Sequence, residues 1–255
     1  MTKRTARRAS RRTHDHAHFG DESNVRRLFD EPQWSPVDGH NEQDHRDQKY
    51  RKNIRAQNAS QQKMLDAIDE AALVFAAGAA GTGKTYLAIA KAVEALDSGA
   101  VRRIILSRPA VEAGESLGFL PGDMEEKLSP YLRPLYDALC DRISSKRLKA
   151  LVAEGVIEIA PIAYMRGRTL NNAYIVIDEA QNCTYGQLKM LLTRLGWNST
   201  MVVTGDPAQS DLLPGMSGLS DVVEKLEGLD NVRAVRFTRE DVVRHPLVAE
   251  MIDAL

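Results

Sequence analysis

The 255-residue sequence is short of several things, and each shortage removes a class of protein. It has only two cysteines, Cys140 and Cys183. They lie far apart with no CxxC partner, so neither a disulfide framework nor a thiolate zinc site is expected, and a reducing cytoplasm suits the chain. Aromatic residues make up 5% of the sequence, and no row of them offers a platform for base stacking. Uncharged apolar runs long enough to span a bilayer are lacking, as is an apolar core behind the basic N-terminus. Neither a membrane span nor a secretory leader is therefore expected. Net charge is nearly absent too, at −1.

That balance hides an asymmetry. Lys3, Arg4, Arg7, Arg8, Arg11 and Arg12 cluster without an acid among them, a run able to pair with phosphates. From Met1 to about Asn58 the sequence is polar, with scattered Pro32, Pro36 and Gly39 and no sustained hydrophobic period. Residues 1–59 are accordingly expected to form a disordered, locally basic tail. Its His14, His16 and His18 could touch a metal, but such a run lacks groups to orient ligands.

Order is expected from Ser60 onward, so that 60–255 forms one domain. Met64, Leu65, Ile68 and Ala72 recur at helical spacing behind a possible serine cap at Ser60. Short apolar runs follow at 73–77, 103–106, 156–159, 174–177, 201–204 and 232–235. Apolar throughout rather than alternating, they read as strands buried on both faces. Helical segments separate most of them, one carrying Leu188, Leu191, Leu192 and Leu195 on a single face and another showing Lys91, Glu94 and Asp97 to water. The expected fold is α/β with a mainly parallel sheet.

Between the first of these strands and a helix lies Gly78-Ala79-Ala80-Gly81-Thr82-Gly83-Lys84-Thr85, followed by Tyr86. This is the GxxxxGK[ST] phosphate loop in its required strand-loop-helix setting. Small residues let successive backbone N–H groups converge on a phosphate, and the helix N-terminus adds partial positive charge. Lys84 is expected to reach the terminal phosphates of ATP, and the Thr85 hydroxyl to ligate Mg²⁺. Further on, the strand 174–177 delivers Asp178 and Glu179 to its C-terminal end, where open α/β sheets bind ligands. Asp178 is expected in the Mg²⁺ shell and Glu179 beside the attacking water.

Asp178-Glu179-Ala180-Gln181 resembles the DExQ motif of superfamily 1 helicases, and Gly205-Asp206-Pro207-Ala208-Gln209 resembles their third motif. That resemblance implies that Gln209 senses the γ-phosphate and that Gln181 couples the site to nucleic acid. Without it, Gly205 to Pro207 reads as a turn after a strand. The chain is more closely similar to the PhoH-like ATPase family. The similarity is carried by Ser107 to Gly114, Leu117 to Asp123, Ala163 to Thr169, Asp178 to Asn182 and Asp241 to Val248.

Membership would imply a RecA-like P-loop NTPase domain, ATP hydrolysis, and a link to RNA metabolism or phosphate starvation. It also makes Gln61 resemble a glutamine that reads the adenine edge, although Gln62 follows at once. Superfamily 1 helicases take a transition-state arginine from a second domain of about 100 residues or more, and this chain stops too soon after Gln209 for one. The arginine is therefore expected from a late residue of the chain or from a neighbouring subunit. Arg244 is the first candidate, and a homo-oligomer, by resemblance a hexamer, the expected assembly. Arg108, Arg166 and Arg168 lie at or beyond strand ends, where they could meet an RNA backbone or form salt bridges. A small-molecule phosphotransferase, or a nucleotide switch acting through a separate protein partner, remains the alternative.

Overall fold

The computed structural model describes residues 54–109, 124–243 and 251, with side chains of 124–130 excepted. The basic run, the histidine cluster and Arg244 lie outside the described residues, as does the segment from Val111 to Asp123.

The lead-in helix α1 spans Ala59–Glu70 and is capped by Asn58, whose side chain accepts from the Gln61 N–H. The cap thus lies two residues before the expected Ser60. Gln61, Met64, Leu65 and Ile68 line its buried face. Ile54 and Ala56 also pack against the core.

Strand β1, Leu73–Gly78, runs into the glycine-rich loop and then into α2, Lys84–Asp97. Strand β2 is Arg103–Arg108, followed after the undescribed segment by α3, Met124–Cys140, and α4, Ser145–Ala153. Strand β3 is Ile157–Pro161 and β4 is Ala173–Ile177. Helix α5, Tyr185–Leu192, begins with a capping box in which Thr184 and Gln187 satisfy each other's backbone N–H groups. Then come β5, Thr200–Gly205, α6, Leu219–Leu226, and β6, Val232–Phe237. All six expected strands are present, each within two residues of its expected bounds.

Every strand pairing is parallel, in the order β3-β2-β4-β5-β1-β6. Alternate residues of each central strand feed two separate apolar layers. Val74, Ala76, Ile104, Leu106, Tyr174, Val176 and Val202 pack with α1, α2, α3 and α4. Phe75, Ile105, Ile175, Ile177, Met201 and Val203 pack with α5 and α6. Two-sided burial explains the unbroken apolar runs. Edge strand β6 is covered less and exposes Arg233 and Arg236, charges that discourage pairing with another sheet.

Lys91, expected on a wet face, is instead largely covered and bridges Asp69 of α1 at 2.6 Å and Glu94 at 3.5 Å. The two cysteines are buried and free, and burial pushes the Cys183 thiol up to about 12. Among the described residues no helix is long and apolar enough to cross a membrane.

Among the described residues two buried hydroxyls, those of Ser107 and Tyr174, have no hydrogen-bond partner. Burial of the Tyr174 hydroxyl raises the phenol's pKa. Because an unpaired buried hydroxyl costs more than it contributes, Tyr174→Phe is expected to raise stability by about 1 kcal/mol. Denaturant unfolding of the two proteins measures this, and a loss of stability would show that the hydroxyl has a partner.

Candidate functional site

The loop after β1 owes its shape to three glycines with positive φ, at 133° for Gly78, 80° for Gly81 and 85° for Gly83. Gly78 is also constrained by packing: a Cβ there would stand 1.9 Å from the Phe237 carbonyl oxygen on β6. The loop is braced from inside and outside. Thr82 donates its hydroxyl to the Ala79 carbonyl at 2.9 Å, and the Val243 N–H donates to the Gly81 carbonyl at 3.0 Å.

Lys84 folds back over the loop, donating from Nζ to the Gly78 and Ala79 carbonyls at 2.7 Å each. Burial lowers its pKa, opposed in decreasing order by the charges of Asp206, Glu179 and Asp178. A cation ringed by three carboxylates at a helix N-terminus is suited to a ligand of several negative charges brought in with a cation.

Gln61 is buried against this loop. Its Nε2 donates to the Thr82 carbonyl at 3.0 Å and its Oε1 accepts from the Gln57 N–H at 2.8 Å. The side chain therefore supports the loop, with one amide hydrogen beyond these contacts. Gln62 lies on the exposed side and bonds Asp66.

At the end of β4, Asp178 Oδ1 accepts from two hydroxyls, Thr85 Oγ1 at 2.6 Å and Thr204 Oγ1 at 2.7 Å. Thr204, the penultimate residue of β5, was not foreseen from sequence; a polar side chain near the end of an otherwise apolar strand is the signal that marks it. The Thr85 hydroxyl and the Asp178 carboxylate meet beside the phosphate loop. Such an oxygen-only pair suits Mg²⁺, a hard ion that keeps water and phosphate oxygens for the rest of its shell.

Glu179 has φ 54°, a left-handed conformation unusual for a residue with a side chain. Its Oε1 accepts from Arg108 Nη2 at 3.2 Å, and its Oε2 accepts from Gln181 Nε2. Arg108 also donates from Nη1 to the Tyr131 carbonyl at 3.2 Å. Gln181 is 2% exposed, and its Oε1 accepts from the Asp206 N–H at 3.0 Å. Asn182 pairs reciprocally with Asp211, at 2.9 Å to the carboxylate and 2.8 Å from the Asp211 N–H.

Of the remaining sequence candidates, Gln209 lies exposed on the loop after β5, where its carbonyl accepts from Gln181 Nε2 at 3.4 Å. Arg166 and Arg168 follow the edge strand β3. Arg166 is exposed, whereas Arg168 makes a two-point pair with Glu158, Nη2 to Oε2 at 2.7 Å. Tyr86 sits partly buried in the first turn of α2.

The PhoH family, described as PhoH-like protein, matches residues 53–255. The chain belongs to this family. A PhoH-like protein of Bacillus subtilis is 56% identical over 204 residues, covering 80% of this chain and 64% of that one. A PhoH-like protein of Mycobacterium tuberculosis H37Rv is 58% identical over the same length, covering 80% and 58%. Protein PhoH of Escherichia coli K12 is 50% identical, covering 79% and 58%. The chain thus spans about three-fifths of the length of these relatives. Among solved structures, the large terminase of a thermophilic bacteriophage has a TM-score of 0.47 at 14% identity, covering 77% of this chain and 48% of that one.

The Arg168–Glu158 pair gives a test that separates structure from ligand binding. The hydrogen bond from Arg168 holds the Glu158 carboxyl below its ordinary value of 4.5. A lowered folded pKa stabilises above the unfolded value and ceases to do so as pH falls through the folded one. Arg168→Ala is therefore expected to cost up to about 1 kcal/mol near neutrality, with the gap to wild type closing in acid. Thermal unfolding across that pH range checks it; a gap that widens toward low pH would contradict the pairing.

Proposed function

We propose that this PhoH-like chain binds Mg·ATP at Gly78 to Thr85 and hydrolyses it. The observation that carries this reading is the meeting of Thr85 and Asp178 beside a glycine-shaped phosphate loop, with a second carboxylate, Glu179, one residue beyond. A loop of converging N–H groups binds polyphosphate, and the adjacent acidic pair supplies what binding alone lacks.

In this mechanism the backbone N–H groups from Gly81 to Thr85 and the helix dipole of α2 hold the β-phosphate. Lys84 exchanges its carbonyl partners for phosphate oxygens and neutralises charge as it moves toward the leaving group. Thr85 and Asp178 would hold Mg²⁺, which supplies charge neutralisation across the phosphates when bound. Glu179 orients the attacking water and accepts its proton. Arg108 and Gln181, which hold the two Glu179 oxygens, fix its direction or must release it before the water is engaged. Gln209 is proposed as the γ-phosphate sensor and Gln61 as a brace of the loop that presents an amide hydrogen to the base.

The wider role proposed is that of an oligomeric, RNA-associated ATPase or remodelling factor. Support comes from the family resemblance, exposed Arg166 beyond β3 and the arginine-rich N-terminal run. A hexamer with Arg244 completing a neighbour's site is the assembly that this reading prefers.

Turnover of Mg·ATP by the purified chain is the direct test, with and without single-stranded RNA. Glu179→Gln is expected to lower kcat by about 10² or more while nucleotide affinity is retained. Unchanged turnover would remove Glu179 from the water-activating role. Removal of divalent metal with EDTA should abolish turnover, and activity that survives it would exclude Thr85 and Asp178 as metal ligands. RNA that leaves the rate unaltered across varied sequences would count against the nucleic-acid part of the proposal.

A further inference from the structure

The nucleotide reading leaves one buried carboxylate of the site without a role. Asp206 follows β5, which lies between the loop strand β1 and the acidic strand β4, and is 7% exposed. Its Oδ2 accepts from the Ala80 N–H at 3.1 Å, and its Oδ1 accepts from the Ala208 N–H at 3.0 Å. Its charge is also the largest of the three carboxylate influences on Lys84. An amide of the phosphate loop is thus bonded to an anion of the protein itself.

The position within the site identifies which phosphate this anion opposes. On the nucleotide reading, the diphosphate portion would lie along the turn that opens α2, where Gly83, Lys84 and Thr85 are the first residues to offer N–H groups. Water oriented by Glu179 must approach the terminal phosphate from the β4 side, so that phosphate lies between the loop and Glu179. Asp206, bonded to the Ala80 N–H, stands on the loop side of that interval. Two anions cannot share the Ala80 N–H in this partly buried site, because their repulsion is only weakly screened by water.

We propose that Asp206 is a resident anion of the phosphate loop, displaced from Ala80 by the terminal phosphate of a nucleoside triphosphate, and that it thereby sets the preference between triphosphate and diphosphate. The inference rests on the nucleotide reading above. It makes Asp206 a specificity-determining residue whose own repulsion weakens triphosphate binding. The exchange also has a route to the catalytic carboxylate. The Asp206 N–H holds Gln181 Oε1, and Gln181 Nε2 holds Glu179 Oε2, so a shift of residue 206 pulls on the amide that restrains Glu179.

The test is calorimetric titration of the full chain and of Asp206→Asn with two ligands, the Mg²⁺ complex of a non-hydrolysable ATP analogue and Mg·ADP. Asp206→Asn is expected to bind the triphosphate analogue about tenfold more tightly and ADP within about twofold of wild type. Equal tightening for both ligands would overturn the inference, as would weaker triphosphate binding, which would make Asp206 a direct participant in holding the ligand. Asp206→Ser, which removes the charge with a smaller side chain, is to give the same shift in ratio if thermal unfolding shows the asparagine variant to be damaged. Wild type that binds neither ligand would defeat the nucleotide reading and this inference together, whereas normal wild-type binding with an unchanged ratio defeats only the latter.

Discussion

The site depends on a single row of residues crossing the parallel sheet. In the ladder, Ser107 stands opposite Ile177, Ile177 opposite Val203, and Thr204 opposite Ala76. The residues that continue this row beyond Ile177 and Ser107 are Asp178 and Arg108. Since side chains alternate between the faces of a sheet, Arg108, Asp178 and Thr204 share the face of Leu106, Val176 and Val202, which is the face against which α2 packs. The helix begins with Lys84 and Thr85 at the same level. A slip of one residue in any of these pairings would turn Asp178 or Thr204 toward α5 and α6 and away from the loop. Two-sided apolar burial is what prevents that slip, so the core specifies the chemistry of the site as well as its stability.

Glu179 shows how the same alternation is overridden. Continued extended backbone would point it to the face opposite Asp178. Its left-handed φ of 54° ends the strand abruptly and returns the carboxylate to Arg108, which lies on the α2 face. Such a conformation costs of order 1 kcal/mol for a residue with a Cβ. The ion pair to Arg108, the bond from Gln181 and the bond from the Asn182 N–H to the Glu179 carbonyl at 3.0 Å together offset it. Adjacent acids can serve different tasks here because the backbone gives them different directions.

Much of this was legible in the sequence, and the limit falls where local pattern gives way to register. The six strands could be read because each is apolar on both faces, and the loop because its glycines and Lys84 are contiguous. Asp178 and Glu179 followed from their place at a strand end. Thr204 and Asp206 were not legible as site residues, since their partners are Asp178, Ala80 and Gln181, distant in sequence and adjacent only through the β1-β5-β4 order. Gln61 was noticed through family resemblance, but its hold on Thr82 depends on how α1 docks beside the loop. Arg168 stood at a suggestive position beyond a strand end; whether it faced solvent or Glu158 was a question of tertiary contact that spacing could not decide.

The charge balance of the site adds a constraint that the loop motif does not express. Asp178, Glu179 and Asp206 bring three negative charges around Lys84, and Arg108 is already occupied by Glu179 and the Tyr131 carbonyl. Against that background a bare polyphosphate gains from the loop amides but meets net repulsion from the strand ends. An accompanying cation changes the sign of the encounter, because the acids that repel phosphate attract the ion. On the proposed nucleotide reading, Asp178 and Glu179 would disfavour simple anions that could occupy a glycine-rich nest and favour a ligand that arrives as a metal complex, whereas Asp206 would oppose its terminal phosphate. Selectivity of this kind arises from repulsion held in place by the fold as much as from attraction within the loop.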